Sequence, residues 1–352
     1  MARRAAGSAA VYRPDGLNLA RPGMAARRSR TGRLLALGLL CLLLMPGTWW
    51  RETNHGPDGR NILSHRELDV PQPPDWPASL RLVGMWELES PNTEFGGYSA
   101  LLMLPGRRLV AYSDRGGVLT FTPPGEGQEK PEIGSIPVSK EVAWNVDFES
   151  ATRDPVSGLR WIGIESANVI VRLSAKGEPQ AVRQPPEMEP WPKNSGAEAM
   201  VRLADGRFIV LGERESLSSL VAGQGLLFPG DPVDGAEAIR FRFVPPQGFL
   251  PTDMALLPDG RALILLRGLG FGLPPFSAKL VVADPSRIRA GEEWPWTPFA
   301  DLSPPLPRDN YEGLAIAPAP GGGADIWIIS DDNQASFQRT LLIRLHWDGE
   351  RA

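Results

Sequence analysis

Four acidic residues recur at corresponding places along the chain: Glu149, Glu198, Asp253 and Glu312, at spacings of 49, 55 and 59 residues. Ser99 occupies the same place 50 residues before the first of them. A second group of charged residues follows each of these positions by about 15 to 20 residues: Asp114-Arg115, Glu165, Glu213-Arg214, Arg267 and Asp331-Asp332-Asn333. Carboxylates gathered about one axis repel one another unless a cation or a guanidinium compensates them. An all-oxygen donor set of Glu149, Glu198, Asp253 and Glu312 suits calcium first, with magnesium or manganese next. Such a cation can polarise a phosphoryl oxygen or lower the pKa of water. Arg115, Arg214 and Arg267 would then hold an anionic substrate through their planar donor forks. Two other readings stay open: the acids pair structurally with Arg115, Arg153, Arg214 and Arg267, or they line a pocket that holds no metal.

Other chemistries lack their residues. The one cysteine, Cys41, lies in an apolar run, which leaves no thiolate metal site, cysteine nucleophile or disulfide framework for the rest of the chain. His55, His65 and His346 all lie outside the recurring motifs, against a histidine-ligated zinc and against a Ser-His-Asp triad. The nearest string to a nucleophile elbow, Gly97-Tyr98-Ser99-Ala100-Leu101, lacks the second glycine.

The elements that position these acids are short. With 38 Gly and 36 Pro among 352 residues, long helices are excluded, while 42% hydrophobic content suits a packed domain. An all-β fold with many tight turns follows. Five segments align: FGGYSALLMLPGRRLVAYSDRGG from Phe95, NVDFESATRDPVSGLRWIGIESAN from Asn145, NSGAEAMVRLADGRFIVLGERES from Asn194, GFLPTDMALLPDGRALILLRG from Gly248 and DNYEGLAIAPAPGGGADIWIISDDN from Asp309. Each reads as a small or acidic start, an apolar strand, a turn, a second apolar strand and a polar exit. Asp205-Gly206 and Asp259-Gly260 are hairpin pairs, and Pro105-Gly106, residues 154–158 and residues 321–323 fill the same place. Further strand-like stretches follow each hairpin, so the unit has about four strands. Four-stranded units repeated radially make a β-propeller. Five blades are favoured, with six as the alternative if 218–246 and 283–307 conceal an irregular blade. The strand LRLVGMWELE from Leu80 is expected to complete the last blade and so remove both free sheet edges. Trp294 and Trp296 read as inter-blade core or loop cover.

Ahead of the repeats lie a basic region and an apolar run. Residues 1–33 hold eight arginines against Asp15, a net of +7, which leaves −11 on the remainder of a chain whose formal charge is −4. That acidic body disfavours nucleic acid. The basic string from Arg27 to Arg33 followed by the apolar run 34–45 has the pattern of an export signal, and extension to Trp50 also allows an uncleaved membrane anchor. The expected organisation is therefore 1–50 as signal or anchor, 51–79 as a Pro-rich linker, and 80–352 as the propeller, exported to a periplasm or cell envelope.

The strings from Asp147, Asn194 and Asp309 resemble the bacterial phytase-like family, described as having esterase-like activity of phytase, over roughly residues 80–347. The resemblance implies an exported β-propeller with phosphoester or ester hydrolase activity that depends on a metal. Glu149, Glu198 and Glu312 match the acidic start of the repeat, whereas Ser99 replaces an acid in the first repeat and Arg267 replaces an exit acid in the fourth. The expectation is a calcium-assisted hydrolase of an anionic small molecule; the alternative is a non-catalytic envelope propeller that binds a small molecule, a glycan or a protein.

Overall fold

Among the described residues, alternating apolar segments broken by Gly and Pro fold into twenty-one strands, and α-helix is confined to one segment. The computed structural model describes residues 30–44, 58–136, 147–192, 196–212, 223–270, 272, 274–335 and 338–349. The chain divides into two units, Met1–Trp49 and Trp50–Ala352. In the first, α1 spans Arg30–Leu44, fifteen residues rich in leucine, a strong helix former, with Leu34, Leu35, Leu37, Leu39 and Leu40 exposed. No helix among the described residues is long and apolar enough to cross a membrane.

The second unit holds five antiparallel sheets. Blade one is β3 (Tyr98–Met103), β4 (Leu109–Ser113), β5 (Gly117–Phe121) and β6 (Glu132–Ser135). Blade two is β7 (Phe148–Arg153), β8 (Arg160–Ile164), β9 (Val169–Leu173) and β10 (Pro179–Arg183). Blade three is β11 (Ala197–Arg202), β12 (Phe208–Gly212), β13 (Gly225–Phe228) and β14 (Ile239–Phe241). Blade four is β15 (Phe249–Leu256), β16 (Ala262–Leu269), β17 (Phe276–Ala283) and β18 (Trp296–Leu302). Blade five runs β19 (Asn310–Pro318), β20 (Ala324–Asp331) and β21 (Thr340–Trp347), then takes β2 (Leu80–Glu89) and β1 (Ser64–Glu67) from the other end of the unit. The first strands neighbour one another in the cycle β3, β7, β11, β15, β19 and back to β3, which closes the ring at five. Within 223–246 and 283–307, β13, β14 and β18 belong to blades three and four, so no sixth blade forms among the described residues.

Closure by β2 on β21, with Leu80 opposite Trp347 and Leu88 opposite Thr340, matches the expectation. The proposed linker needs correction over 58–79. Burial of apolar side chains draws this segment onto the propeller: β1 pairs with β2, Leu68 and Val70 pack on the core, and Trp76 is 9% exposed with its indole N–H donating to the Asp301 carbonyl at 2.8 Å. Residues 51–57 lie outside the described residues.

Propeller blades bury both faces, so the hydrophobic core is split into five clusters, one at each seam between successive blades. Four seams carry an aromatic pair: Tyr112–Phe148, Trp161–Phe208, Phe241–Trp294 and Phe299–Trp347, with ring centroids 4.9 to 6.5 Å apart. Edge-on pairs of this kind add about 0.5–1.5 kcal/mol each beyond area burial. Trp294 is fully buried, in keeping with an inter-blade role.

Candidate active site: an acidic mouth at one end of the channel

Every first strand carries one extra residue at the same place, a β-bulge that opposes two residues to one on the second strand. The pairing steps from Tyr98/Ala100, Phe148/Ser150, Ala197/Ala199, Pro251/Asp253 and Tyr311/Gly313, so the bulged residues are Ser99, Glu149, Glu198, Thr252 and Glu312. Bulges re-aim side chains and commonly flank functional sites. The repeat thus corrects the sequence alignment in blade four by one residue: Thr252, not Asp253, is the counterpart of the glutamates. Asp253 corresponds instead to Ala100, Ser150, Ala199 and Gly313, which are small.

That one-residue shift gives Asp253 different work. It is fully buried, and its carboxylate accepts from the backbone N–H of Leu314 at 2.7 Å, Met254 at 2.8 Å and Leu101 at 3.4 Å. The inner edge of a first strand has no neighbouring strand to pair with, so its amides need another acceptor. Asp253 reaches from β15 to β19 and β3 to provide one. Burial raises its pKa well above the ordinary carboxylate range, and the three amides oppose that rise. Smaller side chains make equivalent ties between blades two and three: Ser150 donates to the Ala197 carbonyl at 2.5 Å, and Thr152 accepts from the Arg202 N–H at 2.9 Å.

The first strands begin, and the second strands end, at one mouth of the central channel. There the acids converge. Asp147, Glu149 and Glu165 place carboxylate oxygens all within 4.8 Å of one another. The Glu165 N–H donates to the Asp147 carbonyl at 3.0 Å, so the start of β7 and the end of β8 are clamped together. Burial raises the Glu149 pKa well above its usual value, and the negative charges of Glu312, Asp147 and Glu165 raise it further. A buried carboxyl surrounded by neighbours of the same sign is a position where a cation would be stabilising.

A second group of acids adjoins the first. Glu312 accepts from Arg267 and from Asn310 Nδ2, the latter at 2.9 Å. Its pKa is raised, mainly by burial and also by Asp114, against the opposing effects of Arg267, Asn310 and Ser99. Asp331 accepts from the Asn333 N–H at 2.7 Å, yet burial and the charge of Glu312 push its pKa well up. Asp114 is raised by burial and by Asp147 and Asp332. Asp332 accepts from the N–H of Gly97 at 3.2 Å and of Gln334 at 2.8 Å. Close approach is built in: a Cβ on Gly97, which has φ +72°, would lie 2.5 Å from Asp114 Oδ1.

The structure therefore brings Glu149 and Glu312 into electrostatic contact, places Glu198 at the same bulge position with 5% exposure, and sets Asp253 apart as a tie between strands. Arg267 forms an ion pair with Glu312, the pairing that the sequence left open as an alternative. Arg115 is 44% exposed, with Nε 3.6 Å from Asp114. Arg214 and Glu213 lie outside the described residues. Sequence reasoning missed Asp147 and Asn310. Each stands two residues before a bulge glutamate, Glu149 or Glu312, and the two-residue period of a strand is the signal that could have found them.

The fold and this mouth define a five-bladed β-propeller with a concentrated carboxylate site on its axis. The chain belongs to the phytase-like family, described as esterase-like activity of phytase, whose profile matches residues 93–334. No curated protein matches it. Among solved structures, it is similar to the PQQ-bound aldose sugar dehydrogenase from Streptomyces coelicolor, at 13% identity and a TM-score of 0.41, over 82% of this chain and 99% of that one. It is also similar to a luciferin-regenerating enzyme, at 12% identity and a TM-score of 0.42, over 82% and 96% of the two chains.

Proposed function

We propose that the acidic mouth is the active site of a divalent-metal-assisted hydrolase of phosphate or carboxylic esters, on a protein exported to the cell envelope. The observation that carries the reading is the Asp147–Glu149–Glu165 cluster, three carboxylates within 4.8 Å with a raised Glu149. Membership of the phytase-like family supports the reaction class, and the basic string preceding the apolar segment supports export. Oxygen-only donors favour calcium, with Asp147, Glu149 and Glu165 as its ligands. A bound divalent cation would offer positive charge to a phosphoryl or carbonyl oxygen of the substrate.

The chain's own side chains supply the remainder. Arg115, half-exposed beside Asp114, would meet an arriving anion. Asp331, raised by burial and by Glu312, would serve as the acid toward a leaving-group oxygen. Arg267 and Asn310 keep Glu312 in place through charge and hydrogen bonding.

The test is turnover of 4-nitrophenyl phosphate and 4-nitrophenyl acetate by the full chain, with calcium and then with excess chelator. Loss of turnover on chelation and in Glu149→Gln is expected. Turnover indifferent to both would sink the metal-assisted reading, and calcium binding without turnover on either ester would leave a binding propeller.

A further inference from the structure

The channel has a second end, and its chemistry is the opposite of the first. Where the five first strands finish, a cavity of about 640 Å³ opens, within the range of small-molecule sites. Its wall is mostly apolar, with Leu102, Met103, Leu203, Met254 and Ile316 from blades one, three, four and five and Ala151 from blade two. Leu101 and Leu314, whose amides are held by Asp253, also line it, so the buried carboxylate lies between this cavity and the acidic mouth.

Three arginines border the cavity, and they are not equivalent. Arg107 is bound to Glu126 and Asp325, and Arg202 lies 3.5 Å from Asp154. Arg153 has no carboxylate within ion-pair distance among the described residues. The acid whose charge acts on it, Asp154, is already engaged by Ser157 and by the Val156 N–H. Directly opposite Arg153 across the β7–β8 pair stands another arginine, Arg160. Like charges facing each other across a sheet are destabilising. Among the described residues, Arg160 donates to neutral partners alone, the Tyr112 hydroxyl and the Ala175 carbonyl, and its buried Nε has no acceptor. An anionic group beside Arg153 would compensate both guanidiniums.

From this we infer a second binding site, for an amphipathic anion: a ligand with an apolar body seated between the ends of the first strands and one anionic head on Arg153. The site is independent of the reaction proposed for the acidic mouth. Apolar burial supplies affinity in proportion to the length of the body, about fourfold for each methylene at 25 °C. The unpaired guanidinium supplies selection for the anion.

The experiment is calorimetric titration of the full chain with straight-chain carboxylates from hexanoate to dodecanoate, below their micellar concentrations, and with the matching alcohols. One saturable site is expected, with affinity rising about fourfold per methylene until the cavity is filled, and with each alcohol binding at least about tenfold more weakly than its carboxylate. Arg153→Gln should erase the preference for carboxylate over alcohol. Ala204→Trp, at an exposed turn position on the cavity wall, should abolish binding of both and does not depend on changing an arginine. Absence of saturable binding, equal binding of alcohol and carboxylate by the unaltered chain, or binding that survives in both variants would each overturn the proposal.

Discussion

The two ends of the channel are built from the same five strands, yet one gathers carboxylates and the other is walled mostly by apolar side chains. At the mouth where the strands start, carboxylates from blades one, two and five raise one another's pKa values, and the half-buried Arg267 pairs with Glu312. At the other end the walls are Leu, Met and Ile, with arginines confined to the rim. Local backbone geometry accounts for much of the difference. The bulge at the start of each strand frees one side chain from the regular alternation, and three of the five bulged residues are glutamates. Past the bulge the pairing is regular, and the side chains return to packing between blades. In this propeller the axial carboxylates gather where the strand pairing is broken.

This contrast can be broken most sharply at the acidic end. Glu149→Gln is expected to lower ester turnover by about a hundredfold to a thousandfold, the scale for loss of one electrostatic group that acts on the reacting atoms. Steady-state rates with saturating calcium measure it, and a change of less than about threefold would move the chemistry elsewhere. At the junction of the two ends, Asp253→Ala should cost about 2–3 kcal/mol, because backbone amides at the channel axis lose their acceptor. Chemical denaturation of the full chain reads this directly. A cost under about 0.5 kcal/mol would show that Asp253 does not tie the strands.

A third effect depends on pH. Asp114, Glu149, Asp253, Glu312 and Asp331 all have raised pKa values, mainly through burial, and Asp309 is raised to about 6 by the same cause. A raised carboxyl contributes stability that is fully present below the unfolded value of about 4 and is lost as pH rises through the folded value. The chelated protein should therefore lose stability between pH 4 and 6 and beyond, by up to about 1.4 kcal/mol per pH unit for each proton involved. Calcium, which binds the deprotonated forms, should stabilise it more at pH 8 than at pH 5. Melting curves across this range check the sign, and a calcium shift that is the same at both pH values contradicts a carboxylate site. The smallest effect belongs to the apolar end. Arg153→Gln removes a like-charge pair with Arg160 and should stabilise the ligand-free protein by about 0.5 kcal/mol; denaturation midpoints showing no gain would mean that the repulsion is already screened.

Much of this architecture was legible beforehand because turns and strand periodicity are local. Hairpins at Asp205-Gly206 and Asp259-Gly260 form where expected, with glycine φ values of 90° and 86°. The strand from Leu80 closes the ring because the fifth repeat lacks a fourth strand of its own. By contrast, 58–79 is Pro-rich and polar on average, and nothing local shows that Trp76 will find a carbonyl 225 residues away. Blade four was misread for a similar reason. Thr252-Asp253 offers two candidates for one position, and only the pairing of Pro251 with Leu266 and Asp253 with Leu265 distinguishes them.

Sequence alone determined the repeat, the all-β class and the restriction of chemistry to carboxylates and arginines, since each follows from residue types and their spacing. Tertiary structure decided which acids meet. Asp147, Glu149 and Glu165 become a cluster, and Asp253 becomes a strut, because bulge register and the closing of the ring set distances between residues far apart in the chain, and the ionisation of a buried carboxyl depends on those distances.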